Sequence, residues 1–449
     1  MSLLKDRMNR DEKEWARAEN EVQHMTVRPT ESERAVADRL IREVSEHFKD
    51  EISKHGLTEE LQEKIHQYVR NAIFKLDYDD YTIKIRIEKV VLSSIIGLGP
   101  IDPFLHDPSV TEIIVQRYDR ISVERNGLVE ATDAEFVSEE HLKTVINRII
   151  QPVGRQINLH SPLVDARLKD GSRVNATIPP ISPDGATLTI RRFSDRAYTG
   201  DDYLSFGSLD EKMLYFLMRV VKGKASIIVS GGTGSGKTTL LNMLLLGIPE
   251  NELVVTIEDS CELKHSRTNI RRLEARLATG ELGVLSVTVR DLVKNALRMR
   301  PDRIIVGEIR DETIVDMVSA MSTGHEGSLS TVHANSPQNL INARMPILYS
   351  MYGDSSFTPE AQAIQLLEAL DLIVHVSRMP DGSRKITHIT HVAGLEQGRL
   401  KLQDIFVYRD SSFQATGYVP KKLIEKLKNN KVLIDNSIFQ KARRDTHEI

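Results

Sequence analysis

The residues Gly231-Gly232-Thr233-Gly234-Ser235-Gly236-Lys237-Thr238 have the types and spacing to hold phosphate. They fit G-x-x-x-x-G-K-S/T between an apolar strand-like run and an apolar helix-like one, which is the context the motif needs. Glycines let the backbone curl until consecutive N–H groups face phosphate oxygens, and a helix beginning near Lys237 adds the positive end of its dipole. Lys237 is then placed for the β- and γ-phosphates, and the Thr238 hydroxyl for Mg²⁺. The expected ligands are therefore ATP and Mg²⁺, with Gly232, Thr233, Gly234, Ser235, Gly236, Lys237, Thr238 and Thr239 against the nucleotide. A ligand-free turn from strand to helix would not need the Lys-Thr pair.

Such a loop serves kinases, GTPases and ATPases alike, so the acids near it matter. A strand-like run over Leu253–Ile257 ends in Glu258-Asp259, and another over Arg303–Val306 ends in Gly307-Glu308. One acid at such a strand end can hold Mg²⁺ through water while another orients or deprotonates the attacking water. We assign Glu308, with Thr238, to Mg²⁺ and Glu258 to water activation; the residue types also permit the reverse. The run Ser322–Asn335 brings His325 and His333 to the two ends of a short strand, where a histidine beside the γ-phosphate can sense nucleotide state. No third ligand is spaced to join them around a metal.

Alternating strand-like and helix-like segments from Ser226 to Ile347 predict a mostly parallel sheet covered by helices, with ligands at the carboxyl ends of its strands. Upstream, Thr30 and Glu33 have capping-box spacing, and Val36, Leu40, Val44 and Phe48 recur on one helical face. Two further helices are expected around Leu61–Ile73 and Ile83–Ile95. Short strands follow at Glu112–Val115, Ile121–Glu124, Leu163–Leu168, Ser172–Ile178 and Thr187–Arg192, with a helix at Glu139–Ile150 and a hairpin signal at Asn126-Gly127. The expected organisation is a mobile tail (1–28), a helical module (29–96), an α+β domain (97–194), a linker (195–208) and an α/β domain with a strand and helix appendage (209–449).

Composition narrows the class. The 449 residues suggest roughly two to four domains. A formal charge of -4 argues against bulk attraction to nucleic acid. With Cys261 alone, no intramolecular disulfide or four-cysteine zinc cluster is possible, which fits a reducing, cytosolic compartment. The charged start and the lack of a long apolar run predict a soluble chain that meets a membrane only through partners.

Four ordered motifs resemble one family, the secretion ATPases that power type II and type IV secretion and type IV pili. They are the glycine-rich run, Thr256–Leu263 with its acids, Arg300–Asp311, and Gly324–Asn335. The stretches Gly97–Ile101, Ser109–Ile113 and Asp170–Asn175 are similar to the domain that precedes them in that family, so the resemblance covers about residues 60 to 410. It implies a RecA-like P-loop ATPase domain, a preceding PAS-like α+β domain, and a homo-hexamer whose ATP sites lie between the two. It also implies phosphate-reaching arginines, matched by motif to Arg173 and Arg191 with Arg167 and Arg192 in reserve, and a role for His333 at the site.

The missing zinc cysteines and the missing Ala-Ile-Arg-Asn-Leu-Ile-Arg run set the chain apart from the pilus-extension and pilus-retraction branches. Its wording is most similar to the CpaF-type ATPases of Flp/Tad pili, with conjugation-type type IV secretion ATPases as near neighbours. The resemblance implies an inner-membrane platform protein as partner, a peripheral place on the inner face of the cytoplasmic membrane, and no direct nucleic acid. A RecA-like nucleic-acid motor is the alternative from another class.

Overall fold

The computed structural model describes residues 15, 30–55, 57–125, 127–168, 170–192, 197–264, 267–276, 285–353 and 357–441. The chain is mixed α/β and forms two compact units, Met1–Phe193 and Ser194–Ile449.

The first unit opens with helices Glu31–His55, Glu59–Phe74 and Tyr81–Ile95. The spacing of Thr30 and Glu33 works as a reciprocal cap: Thr30 N–H donates to Glu33 Oε2 at 3.0 Å and Glu33 N–H to Thr30 Oγ1 at 3.4 Å. The apolar stripes meet in a core that includes Val44, Ile65, Val69 and Val91. Trp15 joins this core at 4% exposure, against Phe74 and beneath the Arg70 guanidinium. The rest of the expected tail, and Gly56, lie outside the described residues.

A six-stranded sheet follows in the order β3-β2-β1-β6-β5-β4. Its strands are β1 (Val110–Arg117), β2 (Arg120–Arg125), β3 (Leu128–Ala131), β4 (Leu163–Arg167), β5 (Arg173–Thr177) and β6 (Thr187–Arg191). All neighbours are antiparallel. One face is covered by the helix Glu139–Ile150 through Leu142, Val145, Ile146 and Ile149. The strand β3, with Leu128 and Val129 exposed, pairs with β2 across the turn at Gly127, where the sequence carries its hairpin signal. Asn126 itself lies outside the described residues.

The second unit holds a nine-stranded sheet, β15-β14-β13-β12-β7-β11-β10-β8-β9. Its strands are β7 (Ile227–Gly231), β8 (Val254–Glu258), β9 (Ile270–Glu274), β10 (Arg303–Ile309), β11 (Leu329–His333), β12 (Leu372–Arg378), β13 (Arg384–Glu396), β14 (Arg399–Arg409) and β15 (Ser412–Ala415). From β12 to β9 the neighbours are parallel, and β13, β14 and β15 extend the sheet antiparallel. Every residue of β7 and β8 is buried, as strands covered on both faces must be.

Among the helices that escape the sequence reading, two lead into the loop domain. Gly200–Ser205 lies in the stretch expected as linker; Thr199 and Asp202 cap it reciprocally and Tyr203 is buried in the main core. Glu211–Lys222 buries Met213, Phe216, Leu217, Val220 and Val221 under the sheet. Among the described residues, no helix is long and apolar enough to cross a membrane.

Candidate functional site

The turn after β7 is built by glycine. Gly234 and Gly236 take φ of +65° and +93°, which side chains resist, and a Cβ on Gly231 would lie 2.3 Å from the Val376 carbonyl oxygen. Ser235 Oγ and Lys237 Nζ both donate to the Gly232 carbonyl, at 2.9 and 3.0 Å, closing the loop on itself. The helix Lys237–Leu245 starts at once, with Thr238 and Thr239 in its first turn and its free N–H groups toward the loop.

Parallel pairing brings the two acids alongside. Arg303–Val306 of β10 pairs with Val254–Ile257 of β8, so Glu308 and Glu258 end adjacent strands. Glu258 is 3% exposed, and its Oε1 accepts from the Glu262 and Leu263 N–H groups at 2.8 and 3.0 Å. Its Oε2 is buried with no hydrogen-bond partner. Burial pushes this carboxyl up to about 7, against the pull of those two N–H groups. Space for it comes from Gly307, whose added Cβ would stand 3.0 Å from Glu258 Cγ. Glu308 is held differently, with Arg310 Nε and Nη2 donating to its Oε2 at 3.0 and 2.6 Å. Arg310 Nη1 also lies 3.9 Å from Asp259.

The histidines separate. His333 closes β11 beside the loop, its Nε2 3.4 Å from Thr233 Oγ1. Burial and then Lys237 lower its pKa, which favours the neutral ring. His325 precedes the opposite end of β11, where its carbonyl accepts from Ser328 Oγ and its buried Nδ1 has no partner. Only His333 is brought to the loop.

In the first unit, strand register sorts the arginines. Arg167 stands opposite Arg173, Arg173 opposite Arg191, and Arg191 opposite Glu112, which faces Glu124. Directly opposed residues share a face, so Arg167, Arg173 and Arg191 form one cationic row continued by two acids. Arg192 belongs to another environment: its Nη1 donates to the Phe104, Asp107 and Val110 carbonyls. It is a structural tie.

Several residues at the loop were not singled out in the sequence. Arg310 was within reach of inspection, two positions beyond Glu308. Arg378, Arg384 and His375 were not, because only sheet order brings residues so far along the chain to the loop. His375 is buried and shares a 2.9 Å hydrogen bond with Ser230, the residue before the loop. Burial takes it down to about 4.

These groups fit a nucleoside triphosphate and Mg²⁺. The unpartnered Glu258 oxygen, the left-handed glycine backbone and Lys237 folded onto the loop's own carbonyl are what an anion and its cation would engage. Among the described residues no group of three His, Cys, Asp or Glu side chains could hold a metal alone; a cation here would share phosphate oxygens.

Comparisons with known proteins bear on the same stretch. The profile described as Type II/IV secretion system protein matches residues 95–412. A Mycobacterium tuberculosis (strain H37Rv) protein named for conjugal transfer is 32% identical over 326 residues, 71% of this chain and 90% of that one. The type IV secretion system protein VirB11 of Bartonella quintana is 28% identical over 326 residues, 65% of this chain and 91% of its own length. The crystal structure of the Brucella suis VirB11 ATPase with sulphate aligns over 68% of this chain and 95% of that one, at 28% identity and a TM-score of 0.36. The matched span takes in the arginine row of the first unit and every loop residue of the second, and the chain belongs to the type II/IV secretion system protein family.

Proposed function

We propose that the chain is an Mg²⁺-dependent ATP hydrolase that drives a secretion or pilus machine. In this reading residues 209–449 are a RecA-like P-loop ATPase domain, 97–194 a PAS-like α+β domain and 29–96 a helical docking module. The working form is a homo-hexamer at the inner face of the cytoplasmic membrane, acting on an inner-membrane platform protein. The observation that carries the reading is the convergence of Lys237, Glu258, Glu308 and His333 at the carboxyl ends of β7, β8, β10 and β11.

Loop N–H groups and Lys237 bind the β- and γ-phosphates, and Lys237 must leave the Gly232 carbonyl to do so. Thr238 and Glu308 would hold Mg²⁺, which would supply charge neutralisation at those phosphate oxygens. Glu258, with a carboxyl near 7, takes a proton from the attacking water through its unpartnered Oε2. His333, kept neutral, hydrogen-bonds Thr233 and reports the state of the loop. Arg173 and Arg191 serve as phosphate-reaching residues, with Arg167 beside them.

The test is ATP turnover and nucleotide binding of purified protein. Lys237→Ala is expected to lose both; Glu308→Gln is expected to bind ATP without hydrolysing it. Undiminished turnover in either variant sinks the proposal. Flp/Tad pilus assembly is the reading of the motif wording, and a conjugation-type type IV secretion role is favoured by the names of the relatives. Deleting the gene decides between them: loss of surface pili supports the first, and loss of DNA transfer with pili intact supports the second.

A further inference from the structure

The loop has two sides. Glu258, Glu308 and His333 come from β8, β10 and β11, all on one side of β7 in the sheet. On the other side stand β12 and β13, whose hairpin continues beyond the loop. Val376 of β12 is level with Gly231, so Arg378 projects two residues past the point where β7 turns into the loop. The hairpin closes with Arg378 directly opposite Arg384. Its turn is fixed by Met379 N–H to the Ser383 carbonyl at 2.7 Å and Ser383 N–H to Asp381 Oδ1 at 2.9 Å. Both arginines reach the glycines: Arg384 Nε donates to the Gly234 carbonyl at 3.3 Å, and Arg378 Nη1 would lie 3.8 Å from a Cβ on Gly234.

We propose that Arg378 and Arg384 bind the α-phosphate end of the nucleotide, forming the wall of the site opposite the hydrolytic groups. This rests on the reading that Gly231–Thr238 binds ATP with its terminal phosphate toward Glu258 and Glu308. A triphosphate so placed must run its nucleoside end away from those acids, which is toward β12 and β13. Guanidinium forks suit a phosphate there. Because the α-phosphate is not attacked, these residues govern affinity and leave the hydrolytic step to the other side.

The experiment measures ADP binding by titration calorimetry and ATP turnover for full-length wild type, Arg378→Ala, Arg384→Ala and Arg384→Gln. The Ala variants are expected to raise the ADP Kd and the ATP KM about 10-fold or more, with kcat moving less than 2-fold. Arg384→Gln keeps an N–H donor for the Gly234 carbonyl and lacks the charge, so it is expected to weaken ADP binding as well. Wild-type ADP binding in the Gln variant would make Arg384 a brace for the loop and overturn its assignment. A fall in kcat with unchanged ADP Kd in the Ala variants would place both arginines at the terminal phosphate and overturn the proposal. Failure of the wild type itself to bind ADP or ATP would instead bring down the phosphate-loop reading.

Discussion

In the antiparallel sheet, Arg167, Arg173 and Arg191 stand side by side on the face turned away from Ile113, Val174 and Ile190, which are fully or almost fully buried. At the carboxyl ends of the parallel strands, Glu258 is itself buried and its carboxyl is pushed up to about 7. The contrast follows from how each sheet is covered. A sheet with one solvated face can line up like charges at small cost, because water screens them. Strands buried on both faces cannot, so a charge at their ends alters its proton affinity unless it is paired. The first region sets like charges side by side on one face, and the second holds a proton near neutrality.

The widest separation between the regions is expected at Glu258. Glu258→Gln should lower ATP turnover by roughly 10² to 10⁴, the usual worth of a general base. It should also raise the melting temperature at pH 8. A carboxyl whose folded pKa exceeds its unfolded value contributes stability below the unfolded pKa, and that contribution is lost as pH rises through about 7. A thermal melt showing no gain at pH 8 would contradict the buried, unpaired carboxylate.

Two buried histidines of the same unit should respond to acid in the opposite sense. His375 and His391 are both taken down to about 4 by burial. The fold keeps them neutral while the unfolded chain takes up protons below about 6.5, so stability falls as pH drops from about 6.5 toward 4, by up to about 3 kcal/mol for each. Denaturant melts of wild type and His375→Asn across that range should differ in slope; equal slopes remove His375 from the account.

Gly307→Ala tests how tightly Glu258 is seated, since the new Cβ would press on Glu258 Cγ. We expect about 1–3 kcal/mol of destabilisation and at least a tenfold loss of turnover. Full activity would mean that the carboxylate relocates freely.

The smallest stability changes are expected in the first unit, and they should divide its arginines. Arg192→Ala removes the donor shared by three carbonyls and should cost about 1–3 kcal/mol. Arg173→Ala should change stability by no more than about 0.5 kcal/mol, the usual range for a substitution outside the core. Its ATPase activity should nevertheless drop tenfold or more. Denaturation curves and turnover on the two variants decide whether the row serves function or packing.

How much was legible depends on whether a signal is local. The helix Glu139–Ile150 and the cap at Thr30 were readable because period and capping act within a few residues. The loop was readable because glycine, lysine and threonine are adjacent. The helix Glu211–Lys222 and the strand β9 were missed, the strand because it carries Arg271 and Arg272 on an exposed edge.

By itself, then, the sequence determined which residues can hold phosphate and cation and which strands end in acid, because those properties belong to side-chain chemistry and short-range backbone preference. Tertiary structure alone decided which of them meet. Sheet order set Arg378 and Arg384 against the loop from the side opposite Glu258, and register put Arg167 rather than Arg192 in line with Arg173. Pairing between strands far apart in the chain is fixed by burial and hydrogen bonding across the whole sheet, and no local spacing encodes it.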